Sequence, residues 1–202
     1  MKECGKHEEE RRKVVRRVLW GMVGFILVVL MVILLIWIIL RPRKPRFILE
    51  DATVYGLKLS SSTQTMNMTM QVTVMALNPN KRIGIYYTKL DAYASYRGQQ
   101  VSMATALPPT YQGHRETTVW SPFLYGAAVP VSPLTLQILQ QDKVSGGLLL
   151  NVKVNGRLKW KVGTWLSALY HLNVNCPAYI KLPASPPAVL NLQLFHPCIL
   201  DV

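Results

Sequence analysis

Past Arg41 the chain holds six carboxylates: Glu50, Asp51, Asp91, Glu116, Asp142 and Asp201. General acid–base catalysis needs two such groups on either side of a reacting bond, with proton affinities driven apart by their surroundings. None of the six makes a pair with spacing suited to that work. His114, His171 and His196 are isolated, outside any H-E-x-x-H or C-x-x-C spacing that would hold zinc. There is also no G-x-S-x-G elbow, no phosphate-cradling glycine loop and no Cys–His nucleophile signature. The expectation is a non-enzymatic protein with no cofactor and no metal, whose histidines are surface or hydrogen-bonded residues.

Other residues carry other chemistry. Asn67-Met68-Thr69 is the one N-glycosylation sequon in the chain. Cys176 and Cys198 could bridge in an oxidising compartment and close a loop of about 22 residues, a gain of roughly 3 kcal/mol. Two ordinary buried thiols are the plainer alternative. Cys4, some fourteen residues from the apolar run, is a weak palmitoylation candidate. Three basic groups could contact anionic headgroups or polyanions: Arg41, Arg43, Lys44 and Arg46; Lys81 and Arg82; and Arg157, Lys159 and Lys161. Their plainer alternatives are flanking charge that stops a helix from sliding, and solvated faces.

Those residues need elements to position them. From Val18 to Leu40, 23 residues carry no charge and no proline. As a helix of roughly 34 Å they would cross a hydrocarbon core of about 30 Å. The run has no polar face, as a soluble helix would require, and Trp20 and Trp37 sit near its ends, where indoles favour the interface. It is longer than the apolar region of a cleaved signal and lacks a small-residue cleavage site, so it reads as an uncleaved anchor. Seven cations precede it and the four of RPRKPR follow, which leans toward a cytosolic N-terminus. The expected organisation is a basic tail at 1–17, too short and polar to fold alone, an anchor at 18–40, a basic neck at 41–46 and a domain at 47–202. Net charge is +3 on the tail and +10 from residue 41 onward. Anionic lipid or acidic polysaccharide are therefore the expected neighbours, and nucleic acid is not. Gly21 and Gly24 do not make a GxxxG dimerisation face.

In the domain, alternation dominates. Met66, Met68, Met70, Val72, Val74 and Ala76 share one strand face, with Asn67, Thr69, Gln71 and Thr73 on the other. Asn67 thus points to solvent, where a glycan has room. Asn78-Pro79-Asn80 ends that strand with turn chemistry. Further strands are expected over 47–59, 90–97, 100–105, 117–125, 170–176 and 189–202, with a short helix capped by Ser132 and started by Pro133. Asn155-Gly156 resembles a hairpin turn, but folding there would put apolar and cationic side chains on one face. A continuous strand keeps Leu148, Leu150, Val152, Val154, Leu158, Trp160 and Val162 together, with Gly156 as a bend or bulge. The expected fold is all-β: an antiparallel sandwich of immunoglobulin or fibronectin-III type after a single transmembrane helix. The sequon and the two late cysteines both favour an outward-facing domain.

In order, the segments RPRKPRFILEDATVYGL, NPNKRIGIYYTKLDAYASYRGQQ, LPPTYQGH, VWSPFLYG, GRLKWKVGT and the terminal CILDV resemble the plant NDR/HIN-like family, the hydroxyproline-rich glycoprotein branch of late-embryogenesis-abundant group 2. The likeness covers nearly the whole chain, and Asn78-Pro79-Asn80 matches the family's NPN signature. It implies a fibronectin-like sandwich, a plasma-membrane protein often found at plasmodesmata, and a link to pathogen defence and abiotic stress; other membrane proteins and acidic wall polysaccharide are candidate partners. It carries no catalytic residues. The 13 prolines are scattered, so the hydroxyproline-rich label fits poorly.

Overall fold

The structure is a computed structural model, and it describes residues 3–39, 42–181 and 196–201. The chain divides into two compact units, 1–41 and 42–202.

The first unit is one helix, α1 (Glu3–Ile39). Arg11–Leu35, with mean hydropathy 3.0, is long and apolar enough to cross a membrane. Its large apolar side chains from Val18 to Leu35 stand exposed. The helix begins at Glu3, so the tail is helical as a continuation of the apolar run rather than as a unit of its own. Nucleation is the costly step in helix formation; a helix nucleated in the apolar run extends into flanking residues at little further cost.

The second unit is a β-sandwich. Its elements in order are β1 (Arg46–Ser60), β2 (Thr65–Leu77), β3 (Gly84–Tyr96), β4 (Gln99–Gln100), β5 (Thr105–Leu107), β6 (Thr110–Gln112), β7 (Thr117–Trp120), β8 (Phe123–Pro130), α2 (Pro133–Ser145), β9 (Gly147–Val162), β10 (Trp165–Leu166), β11 (Tyr170–Lys181), β12 (His196–Pro197) and β13 (Ile199–Asp201). One sheet runs β12-β1-β2-β7, with β8 also on β2; the other runs β13-β11-β9-β3-β4, with β5 and β6 also on β3 and β10 on β9. Every pairing is antiparallel.

Alternation builds the core. Met66, Met68, Met70, Val72, Val74 and Ala76 of β2 are all buried, and they share one cluster with Ile85, Tyr87, Leu90 and Ala92 of β3 and Leu148, Leu150, Val152, Val154 and Leu158 of β9. The expected strand over 117–125 is interrupted. β7 and β8 lie in register along β2, Trp120 opposite Val74 and Phe123 opposite Gln71, but Pro122 between them has no N–H for the ladder. Pro108-Pro109 separates β5 from β6 along β3 in the same way.

β9 is one continuous strand, paired with β11 and β3 on its two sides. The irregularity expected at Gly156 lies instead on the opposite strand, between Tyr87 and Lys89. Gly156 is needed for a different reason. A Cβ there would stand 2.1 Å from the Lys89 carbonyl oxygen, so only glycine lets the two backbones approach.

Helix α2 starts as its sequence predicts, the Ser132 hydroxyl accepting from the Thr135 N–H at 3.1 Å. It ends at Gly146 in the left-handed conformation, φ 81°. The expected final strand is in fact two short pieces, and the 189–195 part of it lies outside the described residues. Cys198 sits between them, joined to Cys176 of β11 at an S–S distance of 1.97 Å. β12 pairs with β1 of one sheet and β13 with β11 of the other, so the C-terminal segment crosses from sheet to sheet through Cys198.

Candidate functional site

One end of the sandwich gathers most of the singled-out residues. There β1 begins, β2 ends, β3 begins and β9 ends: Arg46 pairs with Leu77, and Gly84 with Lys161. The Asn78-Pro79-Asn80 turn organises this end. Asn78, fully buried, donates from Nδ2 to the carbonyls of Ile83 and Gly113, both at 2.8 Å. Its Oδ1 accepts from the Asn80 N–H and from Asn80 Nδ2. Asn80 in turn takes the main chain of Arg43 by both polar groups: Oδ1 accepts from the Arg43 N–H and Nδ2 donates to the Arg43 carbonyl. Proline at position 79 fixes the backbone between two amides whose hydrogen bonds run in opposite directions. The turn thus binds the neck to the loop before β7, and the Arg115 N–H donates to the Asn80 carbonyl.

A second buried amide continues the network. Gln112 donates from Nε2 to the carbonyls of Ala76 and Glu116 and accepts at Oε1 from the Tyr87 hydroxyl at 3.0 Å. Tyr87 is wedged edge-on against Phe47 and Trp120, and this burial drives its hydroxyl well above the usual phenol range. The interior of this end is thereby satisfied and rigid.

Its outside is cationic. Arg43, Lys44 and Arg46 of the neck, Lys81 and Arg82 after the turn, and Arg115 before β7 are all exposed. Arg41 lies outside the described residues. Arg157, Lys159 and Lys161 stand on the outer face of β9; of these, only Arg157 is exposed. Lys159 is half-buried, opposite Tyr86. Lys161 lies over two rings, its Nζ 5.6 Å from the Tyr86 centroid and 5.0 Å from that of Tyr111. It is therefore held in place by aromatic packing, where sequence periodicity showed only an outward charge.

Sequence reasoning missed two short strands here, β6 and β10. β10 folds back on the end of β9 through Gly163 and Thr164, pairing Trp165 with Val162 and Leu166 with Lys161. Trp165 is 63% exposed, and Leu166, Leu169 and Tyr170 are exposed beside it. Ser167 pins the loop: its N–H donates to the Trp160 carbonyl and its hydroxyl accepts from the Trp160 N–H, both at 2.9 Å. The glycine in V-G-T-W, at φ 57°, was the available signal for the turn.

The remaining candidates lie elsewhere. Asn67 is exposed on β2, opposite Lys58 of β1, and its Oδ1 accepts from the Ala128 N–H. Ala128 sits in the left-handed conformation at φ 47°, so Asn67 secures an irregular turn of backbone in β8. Nδ2, the atom a glycan would use, takes no part in that bond. Near Asn67, Tyr55, Phe123 and Tyr125 form an exposed aromatic row with neighbouring centroids 6.1 Å apart. His114 and His171 are exposed, and the side chain of His196 lies outside the described residues. Among the described residues, no three His, Cys, Asp or Glu cluster closely enough to hold a metal ion. At the far end of the sandwich Tyr96 donates to Asp142 at 2.5 Å, with Arg97 Nε reaching its hydroxyl at 3.3 Å.

Residues 73–176 match the late embryogenesis abundant protein family, LEA_2. The chain is 48% identical to NDR1/HIN1-like protein 1 of Arabidopsis thaliana over 182 residues, covering 90% of this chain and 87% of that one. It is 47% identical to NDR1/HIN1-like protein 12 over the same length, covering 90% and 86%, and 41% identical to NDR1/HIN1-like protein 26 over 167 residues, covering 81% and 78%, both from the same plant.

Proposed function

The chain belongs to the late embryogenesis abundant (LEA_2) family, among its NDR1/HIN1-like proteins, and from that premise we propose a single-pass plasma-membrane protein that takes part in plant defence and stress responses by binding rather than by catalysis. The tail, 1–17, faces the cytosol; 18–40 is the signal anchor; 41–46 is a basic neck; and 47–202 is an extracellular sandwich, present also at plasmodesmata. The observation that carries this reading is the junction of two unlike units. An exposed apolar helix of mean hydropathy 3.0 precedes a sandwich whose polar groups at the neck end are spent on structure. An outward domain is supported by the larger cation count ahead of the span, the exposed Asn67 and the Cys176–Cys198 bridge.

The test is a topology assay. Glycosidase treatment should shift the mass of the wild-type chain but not of Thr69→Ala, while external protease leaves the tail intact. Thr69→Ala is a better probe than Asn67→Gln because it breaks the sequon and keeps the Asn67–Ala128 bond. A domain that is digested only after the membrane is permeabilised would overturn the orientation.

A second reading follows from the cations at the neck end, with Arg157, Lys159 and Lys161 along β9. It is a lipid- or polyanion-binding module that works at membrane contacts. If neutralising those three left binding to liposomes and pectate unchanged at low salt, that reading would be abandoned.

A further inference from the structure

The neck end of the sandwich pairs an exposed apolar tip with a cationic surround. Trp165 and Leu166 form the returning strand β10 just past the Gly163-Thr164 turn, with Leu169 and Tyr170 soon after it. Lys161 is the direct partner of Leu166, and Lys159 lies two residues further along β9. Lys81 and Arg82 lead into Gly84, which pairs with the same Lys161. Arg43, held by Asn80 across the NPN turn, supplies the neck cations at this end. The hairpin is fixed in place by the two hydrogen bonds between Ser167 and Trp160. A rigid indole and leucine held in water among lysines and arginines is an unfavourable surface for solvent and a complementary one for a phospholipid interface. There, indoles take the headgroup level, and cations meet phosphates.

We infer that the Trp165-Leu166 hairpin is a membrane-interface anchor, which seats the neck end of the sandwich in the headgroup layer of the bilayer that carries the chain. This rests on the membrane-anchored reading and adds a second, reversible attachment to it. Connectivity favours that bilayer over an opposed one, because Ile39, the last residue of α1, and the clamped Arg43 are four residues apart in the chain. Beside the aromatic row of Tyr55, Phe123 and Tyr125, the hollow that Tyr125 lines holds one cation among the described residues, Lys58.

The experiment uses the full chain in nanodiscs, with Trp20→Phe and Trp37→Phe so that the indoles left are Trp120, Trp160 and Trp165. The first two are buried in the core and report folding. Dibrominated phosphatidylcholine should quench a blue-shifted component of the emission, and adding Trp165→Phe should abolish that quenching while the core emission persists. Lys81→Gln with Arg82→Gln should weaken the quenching, more so with added phosphatidylglycerol and less at high salt. Phe123→Ala should leave it unchanged. Trp165 emission typical of water with no bromine quenching would overturn the inference. So would blue-shifted emission without quenching, the signature of cover by residues 182–195 or by a second copy. A chain that fails to enter nanodiscs would instead defeat the anchored reading, and the glycosidase assay reads orientation separately.

Discussion

The side chain of Asn80 pairs with the backbone of Arg43 as a neighbouring strand would, accepting from its N–H and donating to its carbonyl, each at 2.8 Å. One amide thereby substitutes for a strand partner just before β1 begins, and the neck enters the sandwich at a set position.

Asn80→Ala should release that segment. Two hydrogen bonds to Arg43 disappear and the Asn78 side-chain oxygen Oδ1 loses one of its donors, at a cost of about 2–3 kcal/mol. The local readout is sharper than the global one: trypsin should cut after Arg43 faster, and the Arg43 amide should exchange its hydrogen sooner. Unchanged cleavage would mean that other contacts hold the neck.

Cys176→Ala with Cys198→Ala should lower unfolding free energy by about 3 kcal/mol, the entropy of a loop closed across 22 residues. Reductant should mimic the double variant in denaturant melts and leave the variant itself unaffected.

Two glycines beside the cation ladder should respond differently to alanine. At Gly156 the new methyl meets the Lys89 backbone at 2.1 Å, which cannot move without breaking the β3–β9 pairing; a loss of about 2 kcal/mol or more is expected. At Gly84 it meets the Tyr111 ring, a half-exposed side chain that can swing away. Gly84→Ala should cost about 1 kcal/mol, chiefly the contact between Lys161 and Tyr111. Thermal melts of the two variants side by side check the order.

Stability should fall in alkali. Burial raises the phenol of Tyr87, and burial followed by the bond to Asp142 raises that of Tyr96. Above about pH 10 the unfolded chain has lost these protons while the folded chain keeps them. The unfolded state then binds fewer protons, and stability drops by about 1.4 kcal/mol per pH unit through Tyr87, with Tyr96 acting in the same direction. The contribution is complete below about pH 10 and disappears as pH climbs toward the folded values. Denaturant titrations across this range should show the decline, and Tyr87→Phe should flatten it.

Period-two alternation made β2 and the long β9 legible, because one face of each is buried, broken in β9 at Gly156 and half-buried at its end, Val162. Ser132 and Pro133 marked the start of α2 through local chemistry alone. The breaks at Pro122 and at Pro108-Pro109 were less visible, since each leaves the register on either side intact. The site was legible only as charge. That Lys161 rests on Tyr86 and Tyr111, and that Asn80 grips Arg43 across 37 positions, depends on pairings no local pattern encodes. Trp165 escaped notice because a two-residue strand has no periodicity to detect.

The crossing of the C-terminal segment bears on biosynthesis. Residues 196–201 leave the ribosome after both strands they cover, β1 at Ile48 and Leu49 and β11 from Asn173 to Asn175. Until they arrive, each sheet presents bare backbone along those stretches, which another chain could recruit. A product truncated before His196 would keep that exposure and lose Cys198 with it, so aggregation and a persistent free thiol at Cys176 should mark incomplete chains together.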